Sequence, residues 1–137
     1  MPPSEITPGS AEDWLRYARS DLALADTNAT GGVLNESLCF HAQQAAEKSI
    51  KAVLILRGIE FPFTHNVAHL ITLVQNAGID WPQELDSAAR LTRYAVSFRY
   101  PGRPKLIADT ERQQAAAIAR KVLEWAQDIV SPGSQPT

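Results

Sequence analysis

Apolar residues recur every three or four positions along most of the chain, which is the period of an α-helix, and no stretch alternates convincingly as a β-strand. The first helical pattern begins near Ser10, whose hydroxyl can cap the following amides, with Asp13 in a capping-box position. It continues to the break at Gly31 and Gly32. Its apolar positions are Trp14, Ala18, Leu22 and Ala25.

A second helix is predicted from about Asn35 to Arg57, ending at Gly58. Its inward stripe is rich in alanine, which predicts a neighbouring helix at close approach. The stripe consists of Leu38, Ala42, Ala45, Ala46, Ser49, Val53 and Leu56, and the opposite side carries Gln44, Glu47, Lys48 and Lys51.

A shorter helix is predicted over 66–76, ended by Gly78. A fourth helix opens with Pro82 in its first turn and has to end before Pro101, because proline lacks the amide hydrogen that a helix interior needs. The apolar positions of the fourth helix, with one threonine, are Leu85, Ala88, Ala89, Thr92, Ala95 and Val96.

The last helical pattern starts with a capping-box sequence at 110–113. Its inward positions are Ala115, Ala119, Val122, Ala126 and Ile129. Residues 1–9 and 131–137 are rich in proline, glycine and serine and are predicted to be loose tails around one domain, residues 10–130. The layout predicts an all-α fold, an antiparallel up-and-down bundle of four longer helices plus one short helix.

Composition is that of an ordinary globular protein, with 45% hydrophobic and 20% charged residues among 137. No apolar run is long enough to cross a bilayer, and the first residues lack the basic and apolar parts of a signal or transit peptide. The single cysteine, Cys39, sits in an apolar pattern and is predicted to be a buried thiol. We therefore expect a cytoplasmic protein without membrane association.

One segment, residues 93–105, concentrates four cationic side chains and three aromatic rings in thirteen residues of a chain whose net charge is −2. Arginine forks match phosphate oxygens, and the rings of Tyr94, Phe98 and Tyr100 could stack on bases. The competing interpretation is that the arginines are solvated and the rings belong to the core. The net charge excludes coating of nucleic acid through bulk charge, so binding would need this local patch.

Two histidines, His65 and His69, are four residues apart, which is the spacing of paired zinc ligands on a helix. No third ligand is evident, and we expect no metal and no cofactor. A capping or core-edge role for His65 beside Thr64 is the alternative. Either histidine could also supply proton transfer if the fold brought it to Arg93.

Glu47 and Lys51 form an i, i+4 pair in the favourable order, typical of a solvated salt bridge. The alternative is that Lys48 or Lys51 extends a phosphate-binding surface near Arg93. No glycine-rich phosphate loop, Ser-His-Asp set or cysteine cluster is present, so those enzyme classes are poorly supported.

Three segments together resemble the HEPN domain family. They are residues 39–52, with the helix sequence Ala-Ala-Glu-Lys; residues 63–70, with Thr-His; and residues 93–101, which end in Arg-Tyr-Pro. The similarity covers about residues 10–130. It implies a four- to five-helix up-and-down bundle, a homodimer, and pairing with a minimal nucleotidyltransferase.

Many members of this family are ribonuclease toxins whose dimer-interface site is an arginine followed by a histidine. In one variant the motif is Arg, four residues, His, one residue, Tyr, and the partner nucleotidyltransferase adds AMP to the tyrosine. The resemblance places Arg93 at the motif arginine and Tyr100 at the motif tyrosine, but Phe98 stands at the histidine position. Phenylalanine can neither accept nor donate a proton, so weakened or absent nuclease activity is expected.

The functional prediction is a HEPN-like RNA- or nucleotide-binding protein that acts with a nucleotidyltransferase partner, in a system like a toxin–antitoxin pair. Its candidate binding residues are Arg93, Arg99, Tyr100, Arg103, Lys48 and Lys51, and Tyr100 is the candidate AMP-modified residue. Two alternatives remain, a metal-independent endoribonuclease that uses Arg93 and a structural dimerisation module. Leu91, Tyr94 and Phe98 are predicted to form a second apolar stripe that would place the fourth helix at a two-fold axis.

Overall fold

Helices form the regular structure of this chain. The computed structural model describes residues 9–97 and 106–132, with positions 96 and 97 described through their backbone, and no β-strand occurs in these ranges. The helices are α1 (Ala11–Ala25), α2 (Asn35–Leu56), α3 (Val67–Asn76), a 3-10 helix (Gln83–Leu91) that continues into α4 (Thr92–Ser97), and α5 (Asp109–Val130). The predicted all-α bundle is confirmed. None of the described helices is long and apolar enough to cross a membrane.

The centre of the bundle is α2, which packs against α1, α3, α4 and α5 and also touches the 3-10 helix. Its alanine stripe is buried as predicted, and Ala42, Ala45 and Ala46 have no exposed surface. Small side chains there let the backbones of α1 and α5 approach closely. Leu56 was expected on the same stripe, but it is 47% exposed, because it occupies the last turn of α2.

Local signals set three of the helix ends. At the start of α1, the amide of Asp13 donates to Ser10 Oγ and the amide of Ser10 donates to Asp13 Oδ2, both at 3.2 Å, so the predicted capping box is confirmed. Gly58 and Gly78 follow α2 and α3 with φ of +70° and +79°. This left-handed conformation favours glycine and ends a helix, as the sequence predicted.

The fourth helix was predicted to be α-helical from Pro82, but its first part, Gln83–Leu91, is a 3-10 helix. Its buried residues are Leu85, Ala88 and Leu91, which recur every three positions. A 3-10 helix has three residues per turn, so this spacing places all three on one side facing the core. The α-helical part of this element begins only at Thr92.

The capping box predicted at 110–113 is wrong. Helix α5 begins at Asp109, and the residue before it, Ala108, provides no side-chain cap. Its start is held instead from α2, because Asn35 Nδ2 donates to the carbonyl oxygen of Ile107 at 2.9 Å and to Asp109 Oδ1 at 3.0 Å. These contacts attach the start of α5 to α2, but Asn35 Nδ2 is a donor and does not satisfy the first amides of the helix as a cap would.

Candidate functional site

Arg93, the one motif cation within the described residues, lies in the first turn of α4. The helix is anchored around it: Leu91 and Ala95 are buried, and Thr92 Oγ1 accepts a hydrogen bond from the amide of Val67 at 2.9 Å. The Arg93 side chain is 56% exposed. The fold therefore presents this guanidinium to solvent from a fixed backbone.

The guanidinium of Arg93 belongs to a small polar cluster with Tyr94 and Glu111. Arg93 Nη2 lies 3.2 Å from Glu111 Oε2 and 3.2 Å from the Tyr94 hydroxyl oxygen. The Tyr94 hydroxyl donates to the same Glu111 oxygen at 2.6 Å, and Arg93 Cζ lies 5.1 Å from the centre of the Tyr94 ring. These contacts orient the guanidinium, and one nitrogen carries both of its recorded hydrogen bonds.

The cluster stays cationic at Arg93 and neutral at Tyr94 near neutral pH. The pKa of Arg93 is raised, chiefly by its hydrogen bond with the Tyr94 hydroxyl, and the nearby Glu111 carboxylate makes a smaller contribution. Burial raises the pKa of Tyr94, and its hydrogen bond to Glu111 raises the pKa further. Burial also raises the pKa of Cys39 to about 11, with help from Glu111, so this thiol remains protonated and unreactive.

Two predictions for the fourth helix can be compared with the structure. Tyr94 is 5% exposed, so of the two interpretations of its ring the core one is confirmed, and this ring cannot stack on a base. Leu91 is 2% exposed, so the apolar stripe invoked for a dimer is covered within one chain at both described positions. Its third member, Phe98, lies outside the described residues.

The rest of the arginine- and tyrosine-rich segment also lies outside the described residues. This applies to Arg99, Tyr100, Arg103 and Lys105. Their assignment to a phosphate-binding patch stays a prediction from the sequence.

Lys48 and Lys51 contact α1 and acidic partners of their own. Lys51 Nζ lies 2.8 Å from Glu47 Oε2, with side chains 5% and 4% exposed, so this pair is buried and the solvated salt bridge is corrected. Lys48 Nζ lies 2.7 Å from Asp21 Oδ2 on α1. Arg93 instead pairs with α5, so the described contacts do not join the lysines to it.

His65 lies at the edge of the core, where its Nδ1 is 3.0 Å from Glu47 Oε1. Gln43 Nε2 donates both to that carboxylate, at 2.9 Å, and to the His65 carbonyl oxygen, at 3.0 Å. The core-edge role is confirmed. His69 is exposed on α3, and within the described ranges no three His, Cys, Asp or Glu side chains are grouped to hold a metal ion.

Sequence reasoning missed two polar residues of α5, Glu111, which contacts Arg93, and Arg112, which joins α5 to the end of α1 and the start of α2. Glu111 has no local signal, because it lies eighteen positions from Arg93 along the chain. Arg112 is 2% exposed and donates to Asn35 Oδ1 and to the carbonyl oxygen of Ala25, at the end of α1. A cation is favourable at a helix C-terminus. Arg112 lies seven residues before Ala119 and therefore on the inward stripe of α5. This spacing was the sequence signal that could have predicted its burial.

The family model of the HEPN domain matches residues 11–129. The chain belongs to the HEPN family. TT1696 from Thermus thermophilus is similar in structure, with a TM-score of 0.74 and 29% identity over 87% of this chain and 97% of that one. ST0689, described as an archaeal HEPN homologue, has a TM-score of 0.67 and 25% identity over 90% of this chain and all (100%) of its own. No curated protein sequence matches.

Membership in the HEPN family confirms the resemblance drawn from the three sequence segments. One of those segments, residues 39–52, lies within the central helix and carries the buried pair of Glu47 and Lys51. Another contributes His65, which closes that network from the α2–α3 connection. These two segments of the HEPN domain thus have a structural role here, and Arg93 is the motif residue that the described fold exposes.

Proposed function

We propose that this HEPN protein binds RNA or nucleotide phosphate through Arg93, together with Arg99, Arg103 and Tyr100, and has weakened or no nuclease activity. The observation that supports the proposal most directly is the exposed Arg93 guanidinium, held on α4 by Tyr94 and Glu111. Arginine presents several donors in a plane, so it can bind a phosphate while one nitrogen remains on the carboxylate.

The weakened-nuclease part of the proposal rests on Phe98 at the motif histidine position. Cleavage of RNA by the 2′-hydroxyl needs a group that accepts a proton and a group that donates one. Arg93 can stabilise charge on the phosphate, but its raised pKa keeps it protonated, so it cannot act as a base. Binding without efficient cleavage follows.

A nucleotidyltransferase partner in the cytoplasm and modification of Tyr100 by AMP belong to the same proposal, on the strength of the family resemblance. The placement of Tyr100 two residues after Phe98 fits the extended motif. Incubation of the purified protein with a minimal nucleotidyltransferase and ATP is expected to transfer one AMP group to the protein, seen as a mass increase, and to release pyrophosphate. Loss of that mass shift in Tyr100→Phe assigns the residue, and an unchanged mass in the wild type contradicts the assignment.

A two-fold dimer is also proposed, with the Arg93 end of the bundle at its interface. Leu34 and Leu106 are 58% and 85% exposed and flank the hydrogen bond that joins Asn35 to Ile107. Two exposed leucines next to this hydrogen bond offer apolar surface that a second copy of the chain would cover. Light scattering at micromolar concentration is expected to give the dimer mass, and a monomer mass alone contradicts this part.

The main test compares two arginine variants. Arg93→Ala is expected to weaken binding of single-stranded RNA and to flatten the slope of log affinity against log salt by about 0.7 per lost phosphate contact. Arg90→Ala is the matched control, because Arg90 is also exposed and lies just before α4, in the 3-10 helix. Fluorescence anisotropy over a salt series measures both quantities. An equal effect of the two substitutions would mean that only net charge matters.

A metal-independent endoribonuclease remains the second candidate, and one observation favours it. Glu111 places a carboxylate 3.2 Å from the Arg93 guanidinium, where it could accept a proton from a ribose hydroxyl in place of the missing histidine. The carboxylate is partly shielded, with its side chain 24% exposed.

Glu111→Gln separates the two candidates. If the protein only binds RNA, removal of the negative charge beside Arg93 should tighten binding by about fivefold, since an exposed ion pair that competes with phosphate contributes at most about 1 kcal/mol. If Glu111 is a base, RNA cleavage by the wild type is measurable and falls at least about a hundredfold in the variant. Gel-based cleavage and anisotropy on the same samples report both. Unchanged binding and unchanged cleavage would exclude a role for this carboxylate.

A further inference from the structure

A cleft between α1 and α2 lies on a different part of the molecule from the Arg93 cluster. Its volume is about 340 Å³, which is at the small end of ligand pockets. The lining residues are Gly9, Asp13, Trp14, Arg16, Tyr17 and Lys48. Two aromatic rings and two cations thus meet in a cavity of small-molecule size.

The aromatic surface of the cleft is open on Tyr17, whose residue surface is 56% exposed. Arg16 Cζ and Lys48 Nζ lie 5.1 Å and 5.7 Å from the centre of the Tyr17 ring. Both cations lie over the ring, within the range of a cation–π contact, and Tyr17 still exposes apolar surface that a planar ligand would cover.

Arg16 and Lys48 both have hydrogen-bond donors that are not used within the described residues. Within the described residues, the one polar contact of Arg16 is with Asp13 at 3.9 Å, too long for a hydrogen bond, and its side chain is 68% exposed. Lys48 uses a donor on Asp21 at 2.7 Å, and an ammonium has three. Asp21 also binds His41 Nδ1 at 2.9 Å, which holds the carboxylate in place.

The two carboxylates near the cleft, Asp13 and Asp21, already have hydrogen-bond partners within the protein. Asp13 accepts the amide of Ser10 in the capping box and sits at the positive end of the α1 dipole. Asp21 is 8% exposed and shared by two partners. The remaining attraction of the cleft is therefore for a negative group beside a ring.

We propose that this cleft binds a small molecule that combines a planar aromatic ring with an anionic group. The ring packs on Tyr17 and the edge of Trp14, and the anion accepts hydrogen bonds from Arg16 and Lys48. Phosphate and carboxylate are both suitable anions, and the ring can be a nucleobase or a simpler aromatic system. The site does not involve Arg93, so it is independent of the proposed RNA binding.

Isothermal titration calorimetry with AMP and with indole-3-acetate tests this site and distinguishes the two kinds of ligand. The titrations use the Arg93→Ala variant, which removes the proposed phosphate site, and at least one of the two ligands is expected to bind it saturably with one site per chain. Adenosine and ribose 5-phosphate, each with half of the required chemistry, should bind at least about tenfold more weakly than AMP if AMP is the better ligand, because a charge-assisted hydrogen bond or a stacked ring contributes about that much. If indole-3-acetate is the better ligand, indole and acetate should likewise each bind at least about tenfold more weakly than it does.

Variants place the ligand in the cleft. Arg16→Ala and Tyr17→Ala should each weaken binding about tenfold, since each removes one of the two recognised groups. Arg19→Ala is the matched control, because Arg19 is exposed on the same helix and does not line the cleft, so its binding should equal that of the wild type. Circular dichroism confirms that α1 is intact in all three.

Absence of saturable binding for both probes at millimolar concentration overturns the proposal. So does binding that Arg16→Ala and Tyr17→Ala leave unchanged, or that adenosine or indole reproduces in full. None of these results affects the RNA-binding comparison of Arg93→Ala with Arg90→Ala, so failure of one proposal is distinct from failure of the other.

Discussion

Lys51→Met is expected to lower the free energy of unfolding by about 3–5 kcal/mol, the usual cost of leaving one member of a buried ion pair without its partner. Lys51 and Glu47 are 5% and 4% exposed through their side chains, and their charged atoms lie 2.8 Å apart. Lys51 also lies over the rings of Trp14 and Phe61, 5.8 Å and 5.4 Å from their centres. Methionine keeps that apolar packing and removes the charge.

Urea unfolding followed by circular dichroism measures the change. Lys121→Met is the matched control, because Lys121 is exposed on α5 and its substitution should change the free energy of unfolding by less than about 0.5 kcal/mol. The double variant Glu47→Leu with Lys51→Met should recover part of the loss, since it leaves no buried charge but removes the carboxylate partner of Gln43 and His65. A loss below about 1 kcal/mol in the single variant would contradict a buried, strongly coupled pair.

The dependence of stability on acidic pH tests the same ion pair through the pKa of Glu47. Burial alone would raise the pKa of Glu47, but hydrogen bonds from Lys51, His65 and Gln43 and the charge of Lys51 together lower it. The unfolded pKa is about 4.3, so the stabilisation is present above that pH and is lost as pH falls through the lower folded value. Stability of the wild type should therefore fall more steeply below about pH 4 than that of Glu47→Gln.

The helix ends that the sequence predicted well are those set by local chemistry. Ser10 caps α1 through atoms three residues away, and Gly58 and Gly78 end helices through their own left-handed backbone. Such signals do not depend on what the rest of the chain does. The capping box predicted at 110–113 failed because α5 begins at Asp109, and the contacts that attach this start to α2 come from Asn35, more than seventy positions away.

The solvated interpretation of Glu47 and Lys51 failed because it assumed that α2 has a single buried side. Helix α2 packs against α1, α3, α4 and α5, so its polar face is covered as well. Charged residues on a central helix then require partners, which Glu47 finds in Lys51, Gln43 and His65. The number of helices that surround a given helix depends on the tertiary fold, so it cannot be predicted from the apolar periodicity along one face.

The candidate site also contains both kinds of residue, those that the local sequence predicts and those that only the tertiary fold brings together. Arg93 was predicted from a motif of adjacent residues, and the fold exposes it on α4. Its orienting partner Glu111 comes from another helix, and no spacing rule connects the two. Tyr94 shows the limit of residue type as a guide, because a ring suited to stacking is used as a core side chain whose hydroxyl contacts Arg93.

Phe98→His is expected to create or raise ribonuclease activity by about a hundredfold at neutral pH, the lower end of what a general acid–base group supplies. The position follows from the motif spacing, since four residues separate it from Arg93 and one residue separates it from Tyr100. An imidazole titrates near pH 6.5, so at neutral pH its neutral form can accept the 2′-hydroxyl proton. The gain is expected at the lower end because the apolar residues of this segment disfavour the charged form that acts as the acid.

Cleavage of a labelled RNA over a pH series measures this gain. The double variant Phe98→His with Arg93→Ala should return to the wild-type level, because the imidazole needs the guanidinium to hold and stabilise the phosphate. Phe98→Leu is the control for a change of side chain without a proton-transfer group, and it should remain at the wild-type rate. If the wild type already cleaves RNA, Phe98→His adds nothing, and Glu111→Gln or His65→Ala abolishes the activity, then the protein is an active nuclease with a different base.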